Sequence, residues 1–309
     1  MISRRNIRIK VFQTIYEMEQ QEDTIQESVA LKYLDQKITQ SSALLASVCH
    51  LLFLITDYVL IYSNQKASKR IATREDLNVN VKLAGNLLMQ KLKNNTSFAE
   101  VVKKHKIAHL FDEDLVKSLF LILIETPEYK TYLSDPERTA MEEKKILEVI
   151  LDQCILKNED AVSFLSGQYI NWYTDDEMLP AWTSKVLLSA STFNFTNIIS
   201  LEKHEFAKEL LICYFDKKET VFKLIEPKLI NWDAERVAMI DLILLHLGIC
   251  ELLYFPNIPV KVSINEYIDL AKSFSTLQSG QFVNGILDNV RKELEKENKI
   301  IKTSLTGKS

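Results

Sequence analysis

The residues whose types and spacing best suit chemistry are three arginines near the start of the chain, Arg4, Arg5 and Arg8. They lie in the first turns of a helix predicted over residues 3–20, where apolar side chains recur every three to four positions. Cations in a first turn oppose the helix dipole by roughly 0.3–1 kcal/mol each, so an anionic ligand would stabilise them. The residues alone favour a solvated basic helix end. The alternative is an anion-binding site.

The other candidate groups lack the partners that catalysis or metal binding requires. His105 and His109 have the spacing of a metal pair on a helix, but lysines surround them and no glutamate follows His105. The six glycines never cluster, which excludes a phosphate-cradling glycine-rich loop. The polar runs His204-Glu205 and Asp175-Asp176-Glu177 have no visible catalytic partner. The sequence therefore predicts a protein that is not an enzyme and that needs no metal or cofactor.

Composition predicts an all-α chain with a substantial core. Of the 309 residues, 47% are apolar, and only six glycines and six prolines interrupt the pattern. The apolar spacing is helical almost throughout. A formal net charge of −4 excludes a uniformly basic nucleic-acid binder and restricts such affinity to a local patch. The four scattered cysteines predict free thiols in a reducing cytoplasm.

Residues 43–62 are apolar enough to raise the question of a membrane span. Ser47, His50 and Asp57 interrupt the stretch, and an ionisable group inside a span is costly. We therefore expect a buried central helix and no membrane association. The basic N-terminus is not followed by a continuous apolar run, which argues against a secretory signal and favours a cytoplasmic location.

The periodicity predicts a series of helices through the middle of the chain. A later predicted helix, residues 234–254, is apolar on nearly all sides. Its ionisable exceptions, Asp241, His246 and Glu251, must be paired or lie at a surface break, because buried charge is costly. Asp233 is the predicted cap of this helix. The helices predicted before it cover residues 41–63, 74–93, 115–125, 159–172 and 180–190, and one more begins at Asp135-Pro136.

The most informative stretch lies near the C-terminus, at residues 256–288. Pro259 bars helix from the connection. Ser263 stands three residues before Glu266, the spacing of a capping box at a helix start. A second helix is predicted to begin after a cap at Ser279. The stretch is therefore a turn followed by two amphipathic helices.

Two motifs resemble the NusB family of transcription antitermination factors. The C-terminal motif pairs Val262-Ser263-Ile264-Asn265-Glu266 with Phe282-Val283-Asn284-Gly285. The N-terminal motif falls on the pattern R-R-x-x-R-x-x-x-x-Q-x-x-Y that opens these proteins, with Arg4, Arg5, Arg8, Gln13 and Tyr16.

The resemblance implies an all-α, NusB-like two-subdomain helical bundle with a large inserted helical region. Residues 1–20 would form the first helix of the module, 21–199 the helical insertion, 200–297 the main NusB-like domain and 298–309 a charged tail.

The resemblance also implies a site for single-stranded, boxA-like RNA. In NusB proteins the arginine-rich helix end contacts RNA, and the aligned phenylalanine and nearby helix-start positions face RNA beside it. Core packing is the alternative for Phe282, and spacing alone favours it. The implied RNA-binding residues are Arg4, Arg5, Arg8, Gln278, Gln281 and Phe282.

Protein partners are implied as well. NusB proteins pair with the ribosomal protein NusE in an antitermination complex with RNA polymerase on ribosomal RNA transcripts. Tyr16 and Asp241 align with positions on that partner surface, and the alternative is a buried tyrosine and a salt-bridged aspartate.

Three alternatives stay open for the whole chain. It can be a protein-only helical adaptor or scaffold with lost or weak RNA binding, which the net acidity and the glutamines at 278 and 281 favour. Self-association, as in some family members, would make it a homodimer. NusB-like modules also precede RNA cytosine methyltransferases, but this chain has no Rossmann-type glycine-rich turn.

Overall fold

The computed structural model describes residues 2–21, 26–229 and 237–303. Every regular element in these ranges is helical and none is a strand, so the predicted all-α fold is confirmed. The chain forms two compact units. Unit 1 is Ile38–Ile198, and unit 2 combines Ile2–Lys37 with the chain from Ile199 onward.

The α-helices of the described residues are numbered in chain order. They are α1 (Arg4–Glu19), α2 (Glu27–Ala67), α3 (Arg74–Leu77), α4 (Leu87–Lys93), α5 (Thr96–Lys104), α6 (Glu113–Glu125), α7 (Pro127–Ser134), α8 (Ala140–Val149), α9 (Glu159–Gln168), α10 (Trp172–Asp175), α11 (Leu179–Leu188), α12 (Leu201–Asp216), α13 (Lys218–Ile225), α14 (Met239–Tyr254), α15 (Val260–Phe274) and α16 (Leu277–Lys296).

Helix α14 forms the centre of unit 2. It packs against α1, α12, α13, α15 and α16. Its side chains are buried from Ile243 through Leu252, which agrees with a sequence that is apolar on nearly all sides. The predicted start of this helix at residue 234 and its Asp233 cap lie outside the described residues.

Helix α1 contributes an apolar stripe to the same core. Ile7, Val11 and Ile15 are fully buried, and Met18 nearly so, as their helical spacing predicted. The stripe faces α12 and α14. This packing fixes the position of the basic N-terminal turn.

Helix α2 is long and carries the apolar stretch that raised the question of a membrane. By length and composition it is the one candidate span among the described residues, and 67% of its most apolar window is buried. That degree of burial is typical of a core helix. The four cysteines are buried and free.

The predicted continuous helix over 74–93 is wrong. The segment breaks into α3, a short 3₁₀ turn at Lys82–Gly85, and α4. Polar side chains cause the breaks: Asn80 Oδ1 accepts from the Lys82 amide, and Asn86 Oδ1 accepts from two amides at the start of α4. Such local side-chain bonds compete with helix continuation.

The predicted helix start at Asp135-Pro136 is also wrong. Asp135 Oδ1 accepts from the Glu137 amide in an extended connection, and α8 begins only at Ala140. Thr139 is the N-cap, with Glu142 completing a capping box. The threonine three residues before a glutamate was the stronger start signal.

Candidate functional site

The exposed end of α1 carries two of the predicted arginines. Ser3 caps the helix through its hydroxyl, which accepts from the Asn6 amide at 3.1 Å. No acidic residue occurs in the first turn. The side chains of Arg4 and Arg5 are each 41% exposed. Two cations therefore stand at the positive end of a helix dipole, where an anion would be stabilised.

The acids around these arginines hold them loosely. Arg4 pairs with the exposed carboxylate of Glu202. Arg5 lies 3.9 Å from carboxylate oxygens of both Glu266 and Asp269 on α15. Exposed ion pairs of this kind contribute about 0–1 kcal/mol, so a phosphate can displace them at little cost.

Arg8 lies in the interior, although the sequence suggested a surface contact. Its side chain is 2% exposed, and its guanidinium donates to both oxygens of Glu251 at 2.7 and 2.9 Å. Glu251, fully buried, also accepts from the Ser263 hydroxyl at 2.6 Å and the Tyr267 hydroxyl at 3.1 Å. All four side chains form one network that links α1, α14 and α15.

Electrostatics within this network favour the ion pair. Burial alone would lower the pKa of Arg8, but the hydrogen bond to Glu251 and the charges around it raise that pKa above its ordinary value. Burial, followed by the charge of Glu251, raises the pKa of Tyr267 well above its ordinary value. Arg8 is therefore permanently charged, and Tyr267 stays a neutral donor.

The network also explains why Ser263 does not cap a helix. The predicted capping box is wrong, because α15 begins earlier, at Val260, with Pro259 at the N-cap position. Ser263 lies inside the helix, fully buried, and donates to Glu251. The Ser263 hydroxyl therefore bonds to the carboxylate of Glu251 on another helix and not to a backbone amide of its own helix, as the local spacing had predicted.

The start of α16 differs from the prediction in the same way. Thr276, not Ser279, is the N-cap, since its hydroxyl accepts from the Ser279 amide at 3.1 Å. Gln278 and Gln281 are exposed, as a binding role requires. Phe282 is only 7% exposed and belongs to the buried face of α16, the alternative that its spacing favoured.

A polar groove of about 570 Å³ runs between α15 and α16. Asp269, which lies beside Arg5, is one of its lining residues, and Gln281 is another. Gln281 thus lines the groove, and Arg5 lies beside one of its lining residues, whereas Gln278 does not line it. The remaining lining residues are Asn265, Ile268, Lys272, Gly280 and Asn284.

Lys272 is a groove cation that the sequence reasoning missed. The aliphatic stem of Lys272 lies against Gly280, where an added Cβ would approach Lys272 Cγ to 2.6 Å. The ammonium lies 3.6 Å from Asp269. The glycine at position 280 was the available signal, because only a residue without a side chain permits this approach.

The two predicted partner-binding residues, Tyr16 on α1 and Asp241 on α14, both belong to unit 2. Tyr16 is half-buried and packs against Phe12, with ring centroids 6.1 Å apart. Asp241 is 5% exposed, and its buried Oδ1 has no hydrogen-bond partner among the described residues. No hydrogen bond or ion pair joins Tyr16 to Asp241 among the described contacts.

An apolar pocket of about 630 Å³ opens among α1, α12, α13 and α14. His246, 5% exposed, lines it together with Tyr214, and their ring centroids are 4.4 Å apart. Burial, and then the charge of Lys218, lowers the pKa of His246 to about 4. Its Nε2 has no hydrogen-bond partner among the described residues. The imidazole is therefore neutral near pH 7 and has an unused polar atom.

Metal chemistry finds no support in the geometry of the described residues. No group of three or more histidine, cysteine, aspartate or glutamate side chains among them is arranged to hold a metal ion. His105 is the C-cap of α5, and His109 lies in the 3₁₀ turn that follows Lys106. The two histidines are therefore not one turn apart on a single helix.

Comparison with known proteins identifies the family. A model of the NusB family matches residues 177–292. A Myxococcus xanthus protein named transcription antitermination protein NusB is 41% identical over 121 residues, which cover 39% of this chain and 86% of that protein. The Bacillus licheniformis protein of the same name is 38% identical over 94 residues, covering 30% of this chain and 73% of that protein. No solved structure matches the chain. The chain belongs to the NusB family.

Proposed function

We propose that this protein is a transcription antitermination factor that binds single-stranded, boxA-like RNA at the end of α1 and along the groove between α15 and α16. The observation that carries the proposal is the convergence at Asp269. Arg5 lies beside this carboxylate, and the same carboxylate lines the polar groove that contains Gln281 and Lys272.

The three cations of this surface supply the phosphate contacts. Arg4 and Arg5 are exposed and only weakly paired, and Lys272 is half-exposed beside the groove. Phosphate contacts give affinity and make it dependent on salt. Carboxylates at Glu202 and Asp269 keep the cations in place until RNA displaces them.

The amides of the groove supply contacts to bases. Gln281, Asn265 and Asn284 each offer a carbonyl acceptor and an NH₂ donor. Bases of single-stranded RNA are unpaired, so their edges are free to form such hydrogen bonds. Phe282 is assigned to the core and not to base stacking, because α16 buries it.

Arg8 is assigned a positioning role. Its bidentate pair with Glu251 joins α1 to α14, and Ser263 and Tyr267 extend the join to α15. The helix end that carries Arg4 and Arg5 is therefore held rigidly against the helix that contributes Asp269 to the groove. RNA then meets a preorganised surface.

The region of unit 2 that contains Tyr16, Asp241 and the apolar pocket lined by His246 is proposed as a second binding surface. It would bind NusE within a complex that includes RNA polymerase on ribosomal RNA transcripts. The buried Oδ1 of Asp241 has no hydrogen bond among the described residues, and the nearby pocket is apolar with one unused imidazole nitrogen. A protein partner that adds an apolar side chain and a donor would satisfy both. Tyr16, half-buried at the end of α1, extends this surface.

The remaining proposals follow from the same arrangement. The factor acts by recognition and not by catalysis, and it works in the cytoplasm. Unit 1, Ile38–Ile198, is proposed to correspond to the helical insertion that the family resemblance implied for residues 21–199.

A protein-only adaptor is the second candidate function. The burial of Arg8 and Phe282 favours it, because it removes two of the six RNA contacts implied by the family resemblance. Under this alternative the arginines of α1 serve solubility, and NusE or another protein binds without RNA.

The test is binding of a short boxA-like single-stranded RNA at several salt concentrations, with and without NusE. The Arg4→Ala/Arg5→Ala variant should flatten the log–log salt dependence by about 1.4, at roughly 0.7 per lost phosphate contact. Arg70→Ala/Arg74→Ala is the matched control, since both arginines are exposed in unit 1. Absence of RNA binding even with NusE, or an equal effect of both variants, would overturn the RNA proposal and favour the adaptor.

A further inference from the structure

Unit 1 contains a lysine-rich surface that the proposed function does not use. Five lysines occur between residues 91 and 106, and the only acidic residue in that stretch is Glu100. They end two successive helices: Lys91 and Lys93 belong to the last turn of α4, and Lys103 and Lys104 to the last turn of α5. Lys106 follows directly. All five side chains are exposed.

These lysines lack acidic partners within the described part of the chain, unlike many others in the same unit. No carboxylate of the described residues forms an ion pair with Lys91, Lys103, Lys104 or Lys106. Lys93 lies 5.2 Å from the ring centre of Phe53. Burial raises the pKa of Asp57, and the charge of Lys93 opposes that rise.

By contrast, several lysines elsewhere in unit 1 form ion pairs with acidic residues. Lys69 lies 2.8 Å from Asp76, and Lys144 lies 2.6 Å from Glu148. Lys157 lies 2.6 Å from Asp152. In a chain of net charge −4, these five exposed lysines, four of them with no ion pair to a described carboxylate, form a local concentration of positive charge.

The spacing of the lysines suits a polymer of negative charge. The nine residues of α5 span about 13 Å, and one lysine group lies before this helix and the other at its end. One phosphate group cannot contact both groups at once. A polyanion with a charge on every unit of its backbone can contact both.

The backbone at Lys106 adds to this argument. Its φ of 55° lies in the left-handed region, where glycine is the usual residue after a helix. A non-glycine residue is disfavoured there, and asparagine is the common substitute. The chain has a lysine at this position, which keeps a cation beside Lys103 and Lys104.

We infer that the lysines of α4 and α5 form a second RNA-binding surface, which contacts phosphates of the transcript independently of Arg4 and Arg5. The choice of RNA as the polyanion rests on the proposed function. The inference extends that function to unit 1. Stabilisation of the two helix C-termini is the structural alternative, because cations there interact favourably with the helix dipole.

The experiment uses the full chain, a 30-nucleotide single-stranded RNA that contains a boxA-like sequence, and several potassium chloride concentrations. The test variant is Lys91→Gln/Lys103→Gln/Lys104→Gln. The control is Lys117→Gln/Lys145→Gln/Lys185→Gln, which removes the same charge from lysines of the same unit that are exposed and have no ion pair with a described residue. Both are also made in the Arg4→Ala/Arg5→Ala background.

The test variant should flatten the log–log salt dependence by about 2 in either background, at roughly 0.7 per contact, and the control should leave it unchanged. An equal effect of both triple variants would overturn the inference, as would no effect of the test variant. If Arg4→Ala/Arg5→Ala still flattens the slope in that case, the proposed function stands alone.

Loss of helix content by circular dichroism without a change in slope would establish the structural alternative. Binding of the surface to phosphatidylserine vesicles but not to RNA would assign it to membranes and likewise overturn the inference.

Discussion

Each unit contains a fully buried glutamate whose carboxylate accepts hydrogen bonds from an arginine and a tyrosine. In unit 1, Glu143 accepts from Arg138 Nε at 2.9 Å and from the Tyr132 hydroxyl at 3.1 Å. In unit 2, Glu251 accepts from Arg8 and Tyr267 in the same way. The two arginines differ in exposure: the Arg138 side chain is 34% exposed and that of Arg8 only 2%.

The difference lies in what each glutamate connects. Arg138 is five residues from Glu143, and a backbone amide at Leu87 supplies a further hydrogen bond at 2.8 Å. Arg8 is 243 residues from Glu251, so this pair joins the two ends of the chain. The first arrangement joins α8 to α7 and to the start of α4 within unit 1, and the second positions α1. The buried arginine of α1 therefore serves the fold, and we propose the anion-binding role for Arg4 and Arg5 alone.

Removal of Arg8 is the change with the largest expected effect. In Arg8→Ala, Glu251 stays buried without its cation, and loss of one partner of a buried ion pair costs about 3–5 kcal/mol. Unit 2 should lose this much free energy of unfolding. Urea denaturation, together with hydrogen exchange in peptides of α1 and α14, measures the loss. A loss below about 1 kcal/mol would show that the pair does not hold α1 in place.

Acid should weaken unit 2 through His246. Its pKa is lowered to about 4 by burial, below the ordinary value of 6.5, so the unfolded chain binds more protons between these values. The free energy of unfolding should therefore fall as the pH drops from 6.5 to 4, by at most about 3 kcal/mol, and then level off.

The His246→Leu variant isolates this effect. It removes the titrating group, so urea denaturation between pH 4 and 7 should show a weaker pH dependence than in the parent. Burial also lowers the pKa of His50 in unit 1, so the variant keeps part of the slope. An unchanged slope would contradict the assignment to His246.

Removal of Arg138 should have a smaller effect than removal of Arg8. In Arg138→Ala, Glu143 keeps the Tyr132 hydroxyl and the Leu87 amide, and water can reach the vacated, partly exposed position. We expect a loss of about 1.5–3 kcal/mol, the range for a hydrogen bond to a charged group. Hydrogen exchange in peptides of α7 and α8 measures it. A loss equal to that of Arg8→Ala would remove the contrast between the two units.

The sequence was sufficient for the helical class and for the buried faces. The stripe of Ile7, Val11 and Ile15 and the all-round apolar character of α14 depend only on local periodicity, and both are present in the structure. Glu251 was expected to need a partner, and it has one. Helix ends were less predictable where several polar side chains competed for the same amides, as at Asp135 and Thr139.

The partner of Glu251 was beyond the reach of sequence reasoning. Nothing local to Arg8 shows that a carboxylate 243 residues away lies beside it. The same carboxylate took the hydroxyl of Ser263 from its predicted cap. Asp241 and His246 were also expected to be paired or to lie at a surface break. Each is buried with one polar atom that has no hydrogen-bond partner among the described residues. Such atoms are visible only once the packing is known.

The central claim is that Arg8 holds α1 while Arg4 and Arg5 bind RNA, and one paired measurement tests it most directly. RNA affinity at several salt concentrations and urea denaturation are measured on Arg4→Ala/Arg5→Ala and on Arg8→Ala. The double variant should lose salt dependence and keep its free energy of unfolding, because its ion pairs are exposed. Arg8→Ala should lose stability but keep the salt dependence under conditions where it remains folded. A folded Arg8→Ala with a flattened salt dependence, or a double variant with normal RNA binding, would contradict this division of roles.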